Sequence, residues 1–130
     1  MSTLHQIEFF AAPAATIFTT FMDEKKHAAL TGAEASIDPV KGGQFSVWDG
    51  YATGTTIELI PESRIVQQWR ASDWPENVTS TLTLELISHN EGTQLSLTQE
   101  GIPEDDLENI KRGWIEFYWE PLREKLAAQP

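Results

Sequence analysis

The sequence predicts an α+β fold: a curved antiparallel sheet of about six to seven strands wrapped around one long C-terminal helix, with two short helices after the first strand. Three stretches carry that prediction. Gly42 to Pro75 holds three of the five tryptophans and four of the eight glycines, and its turn signals Asp49-Gly50 and Pro61-Glu62-Ser63 divide three β-rich runs into a meander. Val78 to Ser88 and Thr93 to Gly101 alternate apolar and polar side chains, as a sheet with a single covered face requires. Finally, the chain ends in a long apolar stripe of helical period that can supply the cover.

The elements follow in order. Leu4 to Phe10 is apolar and runs into Ala11-Ala12-Pro13, which makes it a first strand, and Pro13 suits the first turn of a helix. Ile17, Phe18 and Phe21 fall at helical spacing. Asp23 is placed to cap a second short helix through about Leu30, which Thr31-Gly32 ends. A weak strand around Ala35 to Ile37 and a turn through Asp38, Pro39, Gly42 and Gly43 lead into the meander. In the next strand Val78, Ser80, Leu82, Leu84 and Leu86 share one face. His89-Asn90-Glu91-Gly92 closes a hairpin, and Leu95 and Leu97 point inward on the return. Pro103 starts the last helix, with Glu104, Asp105 and Asp106 in its first turn and Arg123 and Lys125 near its end, as the helix dipole favours. Its stripe is Leu107, Ile110, Trp114, Phe117, Tyr118 and Leu122. Pro121 removes the hydrogen bond to the Phe117 carbonyl and should bend the helix there, while Gly113 should permit a close backbone approach.

Composition bounds the function. At 130 residues one domain, spanning 1–130, is expected, long enough to bury roughly two thirds of the surface of its unfolded chain. There is no cysteine, so disulfides and thiolate chemistry are excluded. Met1 to Gln6 has neither a basic n-region nor an apolar h-region, and no run reaches the roughly 20 apolar residues that span a bilayer; a cytoplasmic protein without a membrane partner is expected. Twenty acidic residues against nine basic ones give a charge of -11, which repels nucleic-acid phosphate.

Several motifs, taken together and in order, carry a family resemblance: Gly42-Gly43-x-Phe45, Asp49-Gly50, Gly54, Leu59-Ile60-Pro61-Glu62, Arg64-Ile65-Val66, Trp69-Arg70, Trp74-Pro75, Gly92-Thr93, Gly101-Ile102-Pro103 and Gly113-Trp114. From Ile7 to about Leu126 the chain resembles the C-terminal domain of the activator of the ninety-kilodalton heat-shock chaperone ATPase and the small proteins grouped with it. That resemblance implies the helix-grip fold of the START-like superfamily, shared with the birch pollen allergen, and an association with chaperones and the stress response.

Catalytic constellations are poor. His5, His27 and His89 have no metal-ligand spacing, no GxSxG nucleophile motif occurs, and the acidic residues at the start of the last helix read as dipole-favourable surface charge. No catalytic residue, metal or cofactor is expected. The candidate site is the space between sheet and helix. By alternation its walls are Phe45, Ile57, Leu59, Trp69, Leu82, Leu84, Leu97, Trp114, Phe117 and Tyr118. Gln67, Ser80 and Gln99 fall on the same faces, satisfied by one another and by water or offered to a ligand. Trp74, in a polar loop, either caps the end of this cavity or faces a partner.

The expected function is therefore non-enzymatic binding of a small hydrophobic or amphipathic ligand in the grip cavity, by a monomer or weak homodimer. The resemblance implies the alternative, a chaperone-associated interaction module with Trp74 at the contact. Here only one domain is matched, so weak chaperone binding is expected. A third reading, a cyclase or aromatase, lacks inward proton-transfer residues, since Gln67 and Gln99 do not titrate.

Overall fold

A computed structural model describes residues 1–127; the last three positions of the expected 1–130 domain lie outside the described residues. Seven strands form one antiparallel sheet in the order β1-β7-β6-β5-β4-β3-β2. They are β1 (Ser2–Phe10), β2 (Ser36–Ile37), β3 (Gln44–Val47), β4 (Ala52–Ile60), β5 (Arg64–Ala71), β6 (Ser80–His89) and β7 (Gly92–Ile102). Two short helices, α1 (Ala14–Met22) and α2 (Glu24–Thr31), follow β1, and a continuous helix α3, residues 104–127, covers the inner face. This is the fold the sequence predicts.

Local chemistry explains most boundaries. The Asp23 carboxylate accepts from the backbone N–H groups of Lys25 and Lys26 at 2.9 and 3.0 Å, so α2 starts there, and Gly32 ends it in the left-handed region at φ 77°. Alternation along β6 and β7 places Leu82, Leu84, Leu86, Leu95 and Leu97 under α3, whose Ile110, Trp114, Tyr118, Trp119 and Leu122 bury against them. Each such side chain contributes about 1.5–3 kcal/mol when fully withdrawn from water.

The structure departs from the expected pattern in two places, each by one residue. In β4, Thr56 pairs with Gln67 but Glu58 pairs with Val66, so Ile57 is the extra residue of a β-bulge. The bulge changes the phase of the strand: Thr56 is buried, Ile57 points outward and is 40% exposed, and Leu59 returns to the inner side half-buried. Ile57 is thus corrected from cavity wall to outer face.

The second departure lies in α3. Residues Ile115–Trp119 form a π turn, closed by the Glu120 N–H on the Ile115 carbonyl, immediately before Pro121. Pro121 has no N–H for the Phe117 carbonyl and its ring would press on it, and the wider turn accommodates both. The extra residue rotates the stripe. Trp119, absent from the predicted stripe, becomes almost wholly buried at 1% exposure, while Phe117 turns out to 47%. Gly113 also plays a different part from the close approach expected of it. A Cβ built there meets only the Phe117 ring edge at 3.8 Å, an ordinary contact.

Candidate functional site

The interior of the grip is nearly full. Between the sheet, α1, α2 and α3 a void of about 20 Å³ remains, bounded by Phe45, Gln67, Leu82, Leu84, Trp114 and Tyr118 among others. That is room for about one water molecule. The inward polar groups bond to one another. The Trp114 indole N–H donates to Gln99 Oε1 (2.9 Å), Gln99 Nε2 donates to Ser80 Oγ (2.9 Å), and the Ser80 hydroxyl donates to the Trp69 carbonyl (2.9 Å). Gln67 Nε2 donates to Thr56 Oγ1 at 3.3 Å. Leu97 is fully buried in the core beside this chain of bonds.

A second concavity, about 410 Å³, opens at the end of the grip. Three segments build it. The β3–β4 loop brings Trp48 and Tyr51, the end of β5 and the following loop bring Trp69 and Asp73, and α3 brings Asn109, Ile110, Gly113, Trp114, Phe117 and Tyr118. Aromatic rings form its walls, with centroids 4.8 Å apart for Trp48 and Phe117, 4.6 Å for Trp114 and Tyr118, and 6.5 Å for Trp69 and Trp114. Gly113 sits on the helix face toward this groove, where a larger side chain would occupy the space.

Trp48 is held there against its backbone preference. It and Asp49 both have positive φ, 58° and 56°, in a turn completed by Gly50 at 92°. For a bulky side chain the left-handed region costs about 1–2 kcal/mol. The surroundings impose it: Asp49 Oδ1 accepts from the Glu34 N–H at 2.7 Å, and the Trp48 indole N–H donates to the Tyr118 hydroxyl at 2.8 Å.

Tyr118 ties this wall to α2. His27 is the buried residue of that helix, and its Nδ1 lies 3.2 Å from the Phe21 carbonyl, which can only accept. The Nδ1 tautomer follows, leaving Nε2 to accept the Tyr118 O–H at 2.9 Å. Burial holds His27 below its ordinary 6.5, against the opposing pull of the Phe21 carbonyl, and burial pushes Tyr118 well above 10. Tyr51 is pushed up to about 12, first by burial and then by the carboxylates of Asp73 and Asp106. With its pKa lowered, His27 is neutral at neutral pH, and the Tyr118 hydroxyl donates to it, which fixes the orientation of both rings. Among the described residues no group of three or more His, Asp or Glu side chains is gathered as a metal would need, and no helix is long and apolar enough to cross a membrane.

Trp74 does not line the groove. It is 5% exposed, packs on Trp69 with centroids 5.5 Å apart, and donates its indole N–H to Asp106 Oδ2 at 2.6 Å. It fastens the β5–β6 loop to the start of α3; of the two expectations for Trp74, capping the end of the cavity or facing a partner, the exposed partner-facing one is corrected by this burial. Arg70 completes the fastening by donating to the carbonyls of Trp74, Pro75 and Val78. Of the thirteen predicted cavity residues, Trp69, Trp114, Phe117 and Tyr118 reach the groove. Trp48, Tyr51 and Asp73 were not among those predicted. The signal for the first two was present in Trp48-Asp49-Gly50-Tyr51, two aromatics flanking a tight turn, but alternation assigns no face to turn residues.

Over residues 11–127 the chain matches the family described as Activator of Hsp90 ATPase homolog 1-like protein. It is 32% identical over 117 residues to the human activator of 90 kDa heat shock protein ATPase homolog 1, covering 90% of this chain and 35% of that protein. The corresponding Dictyostelium discoideum homolog is 31% identical over 113 residues, covering 86% and 30%. The chain thus spans about a third of the length of these relatives. The crystal structure of an Hsp90 activator from Plasmodium falciparum superposes with a TM-score of 0.90 at 29% identity, covering 98% of this chain and 97% of that one.

Proposed function

This chain belongs to the Activator of Hsp90 ATPase homolog 1-like family, and from that premise we propose that it is a non-enzymatic interaction domain that docks on a chaperone of the Hsp90 class through the open aromatic groove. One observation carries the reading: the interior is closed to about 20 Å³, whereas the accessible apolar concavity, about 410 Å³, faces outward. Aromatic walls of this kind supply the rigid, large-area contacts on which protein interfaces concentrate their affinity. Gly113 supports the same reading, because glycine weakens a helix by about 0.8–1.0 kcal/mol relative to alanine and no packing contact requires it here. The domain acts in the cytoplasm, as a monomer or weak homodimer, without metal or cofactor.

A coupled assay of ATP turnover by an Hsp90-class chaperone tests the proposal. Addition of the protein is expected to change turnover saturably, and Gly113→Leu, which fills the groove, to abolish the change while leaving the fold intact. Unchanged turnover together with no binding at high micromolar concentration rules the reading out.

A second reading is favoured by the groove's size, which falls within the roughly 300–1,000 Å³ of small-molecule sites. In it, an amphipathic ligand occupies the groove rather than the grip interior. A panel of lipids, sterols and flavonoid-like aromatics should then raise the melting temperature, and Gly113→Leu should erase the rise. If every compound leaves both the melting temperature and the groove's amide signals unmoved, this reading fails.

A further inference from the structure

The groove's lining contains no lysine, arginine or histidine. Its walls are π faces, and its acidic side chain, Asp73, stands exposed on the β5–β6 loop. Among the described residues no cation lies within ion-pair distance of Asp73. Neighbouring Asp106 is differently placed, since its two oxygens already accept from the Trp74 indole and from Asn109 Nδ2 (3.1 Å). A sign of the local field is Tyr51, whose phenol is held up by burial, by the carboxylates of Asp73 and Asp106, and by its hydrogen bond to Asp73, a neutral donor that leaves the Asp73 charge uncompensated. The chain as a whole carries -11. Indole and phenyl faces beside a carboxylate that has no cationic partner attract a cation from two sides, by the ring quadrupole and by charge.

Resting on the docking reading above, we infer that the groove receives an arginine side chain carried by an exposed segment of the protein partner, its guanidinium stacked on the indole walls and paired with Asp73. Arginine fits better than lysine for a physical reason. The groove is open to water, and a lysine ammonium holds its hydration strongly, whereas a guanidinium is weakly hydrated, planar, and shaped both to stack on a ring and to grip a carboxylate with two donors. The bare helix surface at Gly113 leaves room for the arginine stem, whose methylenes pack on apolar walls.

The test uses the full chain labelled with nitrogen-15 and reads the indole N–H signals of Trp48, Trp69 and Trp114. The probes are the blocked pentapeptide Gly-Gly-Arg-Gly-Gly, the same peptide with citrulline, which keeps the shape and removes the charge, and the same peptide with lysine. The arginine peptide is expected to shift the three signals saturably, with affinity about tenfold above the citrulline peptide and above the lysine peptide by a smaller factor. Asp73→Asn should lower that affinity about fivefold with the melting temperature unchanged, since Asp73 is exposed. Equal affinities for arginine and citrulline, or shifts that spare the three indoles, overturn the inference. n-Butylguanidinium, a free guanidinium without a peptide, binding as tightly as the arginine peptide overturns the assignment to a protein segment. The two readings fail separately. Chaperone stimulation that survives Asp73→Asn undiminished removes the arginine and leaves docking in place; arginine-peptide binding with no chaperone response removes the docking partner and leaves the arginine preference.

Discussion

The interior of the grip and the groove at its end share Trp69, Trp114 and Tyr118, yet they obey different rules. On the inner side every strategic polar atom has a partner, from the Trp114 indole through Gln99 and Ser80 to the Trp69 carbonyl, and the residual space is about that of a single water. On the outer side the molecule keeps features that cost stability: a tryptophan at φ 58°, a glycine within a helix and a half-exposed Phe117. Interiors are selected for closure. A surface that retains several local penalties at one place, without a packing return, is where function is expected.

Truncation of side chains on the two sides should separate the regions most sharply. Trp119→Ala removes an almost fully buried ring and its bond to Gln6 Oε1 (2.8 Å), and should cost about 3–5 kcal/mol in denaturant unfolding. Phe117→Ala, two residues earlier on the same helix, should cost less than about 1 kcal/mol and instead impair partner binding. Equal costs would erase the distinction between closed interior and open groove.

A smaller effect is expected from pH, through the joint between the two regions. His27 is held below 6.5 in the folded protein by burial, while the unfolded chain titrates at its ordinary 6.5. Below 6.5 the unfolded state therefore binds the extra proton first, so this contribution to stability is complete above that value and is lost as pH falls beneath it. Protonation also takes from the Tyr118 hydroxyl its acceptor, and with it the anchor of Trp48. Melting temperature should fall on acidification from pH 7 to 5, and His27→Gln should flatten that part of the slope. A slope unchanged by the substitution would detach His27 from the groove wall.

The smallest effect has the opposite sign. Gly113→Ala should stabilise the protein by about 0.5–1 kcal/mol, because helix propensity improves and the new methyl group meets only an ordinary contact. A destabilised variant would mean that the glycine is needed for packing after all.

Much of this architecture was legible in the sequence, for reasons that are local. Alternation placed Ser80 and Gln99 inward, the Asp23 cap started α2, and Gly32 ended it. The errors also have local positions but non-local causes. Ile57 was assigned inward because a bulge is invisible to strict alternation; its position is fixed by pairing with β5. Phe117 and Trp119 exchanged roles because one residue of π turn, placed by Pro121, rotates the stripe. Trp48 escaped notice since nothing in Trp-Asp-Gly-Tyr announces a left-handed tryptophan, a conformation imposed by Tyr118 some seventy residues away. For Trp74 a polar loop leaves capping and partner contact both open, and the choice is made by Asp106, from another element, which accepts from its indole.

If docking runs as proposed, the domain meets its partner with the open groove and leaves the grip interior untouched. Titration of the labelled protein with an Hsp90-class chaperone, followed through the five indole N–H signals, tests it most directly. Trp48 and Trp114 should respond first and most, while Trp119, on the inner side of α3, stays in place. A response confined to Trp119, or to backbone signals of the outer sheet face with Trp48 unmoved, would contradict it.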